Sequence, residues 1–271
     1  MILKTKKFSV YEHKRDNRSS DIHSISCRRF YHSDASSEVN RLDNHENDDN
    51  YKYAQLTFSK LYDGISYSDT CNASLSERRE YKTKFSGMVP YTLTYGEISD
   101  IDCLYKIIQF LRSADLLPKN GIFYDLGSGI GRPVFCASLL HPFDKCIGIE
   151  LLSKLHSISL QMLNKWTEYI QTHDASHRHM AQIAFIQGSI LDTTLIDWTD
   201  GDVVFANSTC FDNSMMQMLF EISQTMKLGS IFITLSQSLI NATLPIADNN
   251  CSEQQVAHWK VVRVTREIMS W

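Results

Sequence analysis

Gly-Ile-Phe-Tyr-Asp-Leu-Gly-Ser-Gly-Ile-Gly, residues 121–131, is the stretch of the sequence that decides the fold. The apolar run from Ile122 to Leu126 predicts a buried strand, and the glycines after it predict a tight turn. The apolar residues from Pro133 to Leu140 then predict a helix. This order is typical of one unit of a doubly wound sheet, in which ligands bind at the carboxyl ends of the strands.

The sequence on both sides of this unit continues to alternate between predicted strands and helices. Ile101, Leu104, Ile108 and Leu111 mark one face of a helix before it. The strands predicted after it cover residues 146–150, 183–187, 202–207, 231–235 and 258–264, with helices over 151–170 and 212–227. The pattern predicts an α/β fold with a doubly wound, mostly parallel sheet.

The composition divides the chain into three parts. Residues 1–50 are rich in polar side chains and show no regular period, which predicts a disordered polar leader. Residues 1–29 carry eight Lys and Arg against three Asp and Glu, so contact with an acidic partner stays an alternative for this stretch. Residues 51–98 are expected to form a pre-domain and a covering loop, and residues 99–271 the main domain.

The overall composition excludes several classes of protein. The chain has 271 residues, of which 43% are apolar, and a net charge of -4. No stretch approaches the roughly 18 apolar residues of a membrane span, so we expect an intracellular protein without a membrane partner. The seven cysteines form no Cys-x-x-Cys pair, which argues against a zinc site or a disulfide framework. A metal-binding site formed by His173, His177 and His179 is an alternative. The polar residues around them favour a solvated loop, and we predict no metal ion.

Residues with suitable chemistry follow four of the predicted strands. The glycine turn follows the first, Glu150 ends the second, Ser189 and Ile190 follow the third, and Asn207 ends the fourth. An acidic side chain about 20 residues after a glycine turn can bind ribose hydroxyls, and this also holds for dinucleotide enzymes. Here Arg132 and Pro133 stand where the dinucleotide pattern has its third glycine. The spacing favours a methyl donor and leaves a dinucleotide open.

Four motifs resemble those of a known family. Tyr95-Gly96-Glu97-Ile98 is similar to the motif Y-G-E-T, and residues 125–131 are similar to D-L-G-S-G-V-G. Gly148-Ile149-Glu150 is similar to G-V-E, and residues 206–211 are similar to V-N-N-F-A-F. Together they resemble the histone H3 methyltransferases called disruptor of telomeric silencing. That family has a Rossmann-like class I methyltransferase fold.

The resemblance implies an S-adenosyl-L-methionine-dependent methyltransferase acting on protein lysine. Asn207 and Phe211 are the implied catalytic residues. The implied cofactor contacts are Tyr95, Gly96, Glu97, Ile98, Phe123, Tyr124, Asp125, Leu126, Gly127, Ser128, Gly129, Ile130, Gly131, Arg132, Glu150, Ser189, Ile190 and Asn207. The implied partner is a histone or the nucleosome, with nucleic-acid contact only through the nucleosome and a nuclear location. We further expect a monomer.

Two departures from the family pattern keep alternatives open. Gly188-Ser189-Ile190 replaces G-D-F, which removes a carboxylate and an aromatic ring expected near the adenine. The sequence also ends soon after the strand predicted for residues 258–264. In relatives the chain continues into a last strand, which lies antiparallel between the strands that correspond to residues 231–235 and 258–264. We expect an unusual sheet edge there. A small-molecule methyltransferase and a catalytically weak S-adenosylmethionine-binding protein are the alternatives.

Overall fold

A computed structural model describes residues 4–14, 39–84, 101–173, 180–239 and 259–269. Within these ranges a sheet of seven strands is flanked by helices. The strands are β1 (Lys4–His13), β2 (Ile122–Leu126), β3 (Lys145–Glu150), β4 (Gln182–Gln187), β5 (Val203–Ala206), β6 (Ile231–Leu235) and β7 (Trp259–Met269). The helices are α1 (Val39–Leu61), α2 (Tyr67–Lys84), α3 (Asp102–Ser113), α4 (Arg132–Leu140), α5 (Ser153–His173) and α6 (Asn213–Ser223).

The sheet has the order β4-β3-β2-β5-β6-β1-β7. The first five strands in this order are parallel to one another, and β1 is antiparallel to both of its neighbours. The order reverses direction at β2, which is the point where a ligand crevice forms in a doubly wound sheet. The predicted Rossmann-like fold with a mostly parallel sheet is confirmed.

The sheet separates two apolar cores. Residues of α1, α3, α4 and α5 fill the core on one face, together with Phe123 of β2 and Phe205 of β5. Residues of α6 fill the core on the other face, with Tyr124 and the fully buried Trp198. Successive side chains of a strand point to opposite faces, so each central strand contributes to both cores. This arrangement leaves the strand ends as the place where polar side chains gather.

The prediction of a disordered leader over residues 1–50 is wrong for residues 4–13. These residues form β1, which pairs with β6 from Phe8 to Glu12 and with β7 along its whole length. Phe8, Val10 and Tyr11 are almost fully buried. The polar composition of the fifty residues hid a short alternating apolar segment whose burial depends on two strands more than 200 residues away. Part of α1 also lies within the first fifty residues.

β1 also corrects the expectation about the sheet edge. The sequence predicted that no strand would lie antiparallel between β6 and β7, whereas β1 occupies this position. Each of its neighbours therefore has a hydrogen-bonding partner there, and neither β6 nor the near side of β7 is an open edge. The start of the described chain thus completes the sheet that the later segments build.

α1 and α2 pack against the outside of the main domain. α1 contacts α4 and α5, and α2 contacts α5. The second half of α1 and all of α2 lie within residues 51–98, which were expected to form a pre-domain and a covering loop, whereas residues 85–98 lie outside the described residues. None of the helices in the described ranges is both long enough and apolar enough to cross a lipid bilayer.

The contribution of β1 to stability can be tested with Phe8→Ala. Phe8 is 1% exposed and belongs to the core that contains Phe123. Loss of a buried phenyl ring leaves a cavity, so we expect the free energy of unfolding to fall by about 3–5 kcal/mol in urea denaturation. Lys14→Ala, just after the strand, is the control and should change it by less than about 0.5 kcal/mol. A comparably small change for Phe8→Ala would contradict the burial of β1.

Candidate active site

The glycine turn after β2 is held against the end of β3. The N–H groups of Gly127 and Ser128 both donate to the carbonyl oxygen of Ile149, each at 2.9 Å, and that of Gly131 donates to Ser128 at 2.8 Å. Gly127, Gly129 and Gly131 have φ angles of 80°, 54° and 88°, in the left-handed region that favours glycine. A Cβ at Gly131 would lie 2.4 Å from the ring of Phe185. The turn therefore requires glycine for its conformation and for close packing.

Glu150 joins this turn to the start of α5. Its Oε2 accepts a hydrogen bond from the N–H of Gly129 and its Oε1 accepts one from the N–H of Leu152, both at 2.8 Å. The side chain is buried, and burial raises the pKa of Glu150, while the two N–H donors oppose that shift. Each carboxylate oxygen has a second lone pair, so both can still accept a hydrogen bond from a ligand hydroxyl.

Asp125 is a second buried carboxyl group, close enough to Glu150 to interact with it electrostatically. The side chain is 1% exposed, and neither carboxylate oxygen accepts a hydrogen bond within the described part of the chain. Burial raises the pKa of Asp125 well above its ordinary value, and the negative charge of Glu150 raises it further. A buried carboxylate without a donor is unfavourable, so the group is suited to a ligand that brings a positive charge.

The end of β4 lies beside Glu150. The N–H of Gly188 donates to the carbonyl oxygen of Glu150 at 3.0 Å, and the Ser189 hydroxyl accepts from the N–H of Leu191 at 3.2 Å. The carbonyl of Ile190 accepts from the Trp198 indole at 2.8 Å, which fixes the loop against the core. Ser189 and Ile190 therefore belong to the same end of the sheet as Glu150, as the sequence predicted.

Asn207 and Phe211 follow β5, the strand on the other side of β2. The Asn207 Oδ1 accepts a hydrogen bond from the Thr209 hydroxyl at 2.8 Å. The Thr209 hydroxyl lies 3.2 Å from the hydroxyl of Ser236, whose φ of 68° is unusual for a residue other than glycine. A Cβ atom added to Gly127 would lie 3.5 Å from the ring of Phe211. The loop after β5 and the glycine turn are therefore in contact.

Several predicted contact residues have side chains that face elsewhere. Phe123 and Leu126 are fully buried in the two cores, and Ile130 is 1% exposed. The Tyr124 hydroxyl donates to the carbonyl of Asp197 at 3.4 Å. At these four positions only backbone atoms are near the strand ends, because alternate residues of a strand face the cores. Tyr95, Gly96, Glu97 and Ile98 lie outside the described residues.

Arg132 contacts α1, a position that the sequence did not predict. Its guanidinium group lies 4.2 Å from the ring centre of Tyr62, and the Tyr62 hydroxyl donates to the carbonyl of Ile130 at 3.1 Å. A cleft of about 490 Å³ beside Arg132 is lined by α1, by the turn after it and by the start of α3. Because Tyr62 and Arg132 are 70 residues apart, no local pattern could have revealed this contact.

The backbone amides of the turn are largely committed to the protein. The N–H groups at Gly127, Ser128, Gly129 and Gly131 all donate to protein oxygens, and Pro133 at the start of α4 has no N–H group. At these positions the turn offers close approach to a ligand rather than hydrogen-bond donors.

The comparison with protein families identifies the chain. The model of the family described as "Histone methylation protein DOT1" matches residues 67–271. This chain belongs to the DOT1 family. The match includes α2 and everything that follows it, so it covers the glycine turn, Glu150 and the loop after β5. The family resemblance inferred from the motifs is confirmed.

Relatives of the DOT1 family are similar to this chain over about half to two thirds of its length. The histone-lysine N-methyltransferase, H3 lysine-79 specific, from Caenorhabditis elegans is 23% identical over 66% of this chain and 18% of that protein. The protein with the same name from Candida glabrata is 26% identical over 67% of this chain and 26% of that protein. The one from Debaryomyces hansenii is 27% identical over 47% of this chain and 11% of that protein. The chain thus spans about a quarter or less of the length of these relatives.

Among solved structures, the chain is similar to precorrin-6y C5,15-methyltransferase from Geobacter metallireducens. The identity is 14%, the match covers 51% of this chain and 62% of that chain, and the TM-score is 0.36. A TM-score this low does not by itself establish a common fold.

The cofactor is S-adenosyl-L-methionine, as membership of the DOT1 family implies. The residues present fit it. Asp125 is a buried carboxylate suited to the ammonium group of the methionine part, and Glu150 is a carboxylate with acceptor capacity for the ribose hydroxyls. The glycine turn between them lets a ligand approach the backbone closely. The dinucleotide that the glycine spacing left open is not favoured by the family match.

Asp125→Asn tests the raised pKa of Asp125 through the stability of the protein. Because the folded chain holds the Asp125 proton more tightly than the unfolded chain, ionisation destabilises the folded chain as pH rises above about 4. The amide cannot ionise, so we expect Asp125→Asn to be more stable than the unmodified protein at neutral pH. Urea denaturation between about pH 8 and pH 5 should show this advantage shrinking as the pH falls. An advantage that is independent of pH would contradict the raised pKa.

Proposed function

We propose that this chain transfers a methyl group from S-adenosyl-L-methionine to a lysine amine of a histone. The observation that carries the proposal is that β2, β3 and β5 bring the glycine turn, two buried carboxyl groups, Asn207 and Phe211 to one end of the sheet in a chain of the DOT1 family.

The residues of β2 and β3 are proposed to bind the cofactor. Asp125 would accept hydrogen bonds from the ammonium group, and Glu150 would accept them from the ribose hydroxyls. Ser189 and Ile190 would contact the adenine, with a hydroxyl where the family motif has a carboxylate. The contact between Phe211 and the glycine turn supports a common pocket for cofactor and acceptor. The roles of Tyr95, Gly96, Glu97 and Ile98 stay predictions.

The residues after β5 are proposed to orient the acceptor. When bound, S-adenosyl-L-methionine would supply its methyl group: as an uncharged amine bonds to the methyl carbon, the carbon–sulfur bond would break and S-adenosylhomocysteine would leave as a neutral thioether. The positive charge would pass to the methylated nitrogen, which would release a proton to solvent. A lysine side chain has an ordinary pKa of about 10.4, so an apolar channel would help by disfavouring the ammonium form. Phe211 would provide an apolar wall, and the amide of Asn207 would position the amine. Orientation of the reacting atoms can supply much of the acceleration in such a displacement.

The proposed substrate sets the expected partners and location. The relatives are named for lysine-79 of histone H3, so we propose that a histone, free or in the nucleosome, is the substrate. A nuclear location follows from that substrate, and contact with nucleic acid would arise through the nucleosome. The monomeric state stays a prediction.

Transfer of labelled methyl groups tests the proposed activity. Nucleosomes, free histones and a pool of small metabolites are incubated with the protein and labelled S-adenosyl-L-methionine, and we expect label on lysine in a histone. Label confined to the metabolite pool would show a small-molecule methyltransferase instead. Cofactor binding without transfer to any fraction would show a protein that binds the cofactor without catalysis. Either result would overturn the proposal.

Two substitutions separate cofactor binding from turnover. Glu150→Ala removes charge-assisted hydrogen bonds of roughly 1.5–3 kcal/mol, so the affinity for S-adenosyl-L-methionine measured by calorimetry should fall about ten-fold or more. Asn207→Ala should lower kcat more than affinity, because its proposed role concerns the acceptor. Glu168→Ala on the exposed face of α5 is the control and should change neither quantity. An unchanged cofactor affinity in Glu150→Ala would exclude the ribose role.

A further inference from the structure

Glu77 of α2 hydrogen-bonds the first residues of α5, a helix that begins three residues after Glu150. Its Oε1 accepts from the N–H of Ser153 at 2.8 Å and from the Ser153 hydroxyl at 2.9 Å, and its Oε2 accepts from the N–H of Lys154 at 2.9 Å. The side chain is 7% exposed. A carboxylate from a different helix thus caps the N-terminus of α5.

The cap is needed because α5 begins without a suitable residue of its own. The residue before its first turn is Leu152, whose side chain cannot accept a hydrogen bond, whereas the first N–H groups of a helix need acceptors. Ser153 could act as the cap if the helix began one residue later. Glu77 opposes this shift, because it binds both the hydroxyl and the N–H of Ser153 in the observed arrangement.

The position of the helix start also determines where Glu150 points. Three consecutive N–H groups are divided between two carboxylates: Leu152 donates to Glu150, and Ser153 and Lys154 donate to Glu77. A helix that began later would move the N–H of Leu152 away from Glu150. Glu150 would then lose one of its backbone N–H donors and could turn within the site.

Further contacts fix α2 against this helix start. The Lys154 ammonium donates to the Ser76 hydroxyl at 2.8 Å and forms an ion pair with Glu80 at 2.6 Å. The ion pair is largely exposed to solvent, so we expect it to contribute little. Glu80 therefore offers a matched control: it is on the same helix, carries the same charge and contacts the same residue of α5.

We propose that Glu77 is a positioning residue, which acts through the start of α5 to hold the Glu150 carboxylate in the geometry that binds the cofactor. The inference rests on the proposed function, in which Glu150 binds the ribose hydroxyls. It extends the support of the cofactor site beyond the sheet, to a residue of α2.

Hydrogen exchange followed by NMR tests the positioning step without any ligand. Glu77→Gln keeps one acceptor oxygen and replaces the other with an NH2 donor. We therefore expect faster exchange at Ser153 or Lys154, one of which loses its acceptor, and also at Leu152, whose acceptor is Glu150. Glu80→Gln should leave the exchange at Leu152 unchanged. Faster exchange confined to Ser153 and Lys154 would show a helix cap without influence on Glu150, and would overturn the proposal.

Calorimetry with S-adenosyl-L-methionine tests the consequence for binding. We expect Glu77→Gln to weaken binding about five-fold and Glu80→Gln to change it less than about two-fold. In a Glu150→Gln background, the effect of Glu77→Gln should largely disappear, because both changes act on one carboxylate. If Glu77→Gln weakened binding by the same factor in the Glu150→Gln background as in the unmodified protein, the proposal would be overturned.

Failure of the proposed function gives a different result from failure of this inference. If the unmodified protein did not bind S-adenosyl-L-methionine, the proposed function would fall, while hydrogen exchange at Leu152 would still decide whether Glu77 controls Glu150. If Glu77→Gln does not fold, Glu77→Asp replaces it in both measurements under the same criteria, because it keeps the charge and shortens the side chain by one methylene.

Discussion

The hydrogen bonds of Glu150 are the constraint on which the rest of the site depends. One carboxylate connects the glycine turn after β2 with the start of α5 after β3, so the two strand ends cannot move independently. Burial of a carboxylate is less unfavourable when donors compensate its charge, and at Glu150 backbone N–H groups provide that compensation. The orientation of this carboxylate therefore depends on backbone groups of the glycine turn and of the start of α5. The pair of donors also explains why the glycine turn must be tight: Gly129 can reach Glu150 only from this conformation.

The other half of the site depends on β1. The N–H of Ser236, the residue after β6, donates to the carbonyl of Lys7 at 2.7 Å, and the Ser236 hydroxyl lies beside that of Thr209, which donates to Asn207. Ser236 has a left-handed backbone conformation, which a residue other than glycine keeps only where its surroundings enforce it. β1 therefore does more than complete the sheet: it supports the loop that carries Asn207. β1 and the residue after β6 therefore meet beside the loop where the acceptor is proposed to bind.

What the sequence could predict follows from how local each interaction is. The glycines, the strand that precedes them and Glu150 lie within 30 residues, and their spacing indicated a nucleotide pocket that favoured a methyl donor. The fold followed from the alternation of predicted strands and helices along the chain. β1 was missed because its partners are more than 200 residues away and its few apolar residues stand in a polar segment. The same holds for Arg132, whose partner Tyr62 lies in the turn after α1. It also holds for Glu77, whose partners Ser153 and Lys154 lie more than 70 positions later in the chain. Sequence patterns identify the residues at the strand ends, whereas the residues that orient them come from helices whose packing no pattern reveals.

Asp125 and Glu150 are two buried carboxyl groups of one site, and they differ in how far the protein itself compensates their burial. Both are buried, and the charge of Glu150 disfavours the ionisation of Asp125, but only Glu150 is compensated by N–H donors of the described protein. A well-packed protein without a function here would have no reason to keep an unpartnered carboxyl group, because an apolar residue of similar size would be more favourable. The group becomes favourable when a positively charged ligand contacts it, since binding then provides the compensation that folding does not. In this view the unfavourable burial of Asp125 increases the selectivity of the pocket, because a ligand that lacks a positive charge would leave that carboxylate uncompensated.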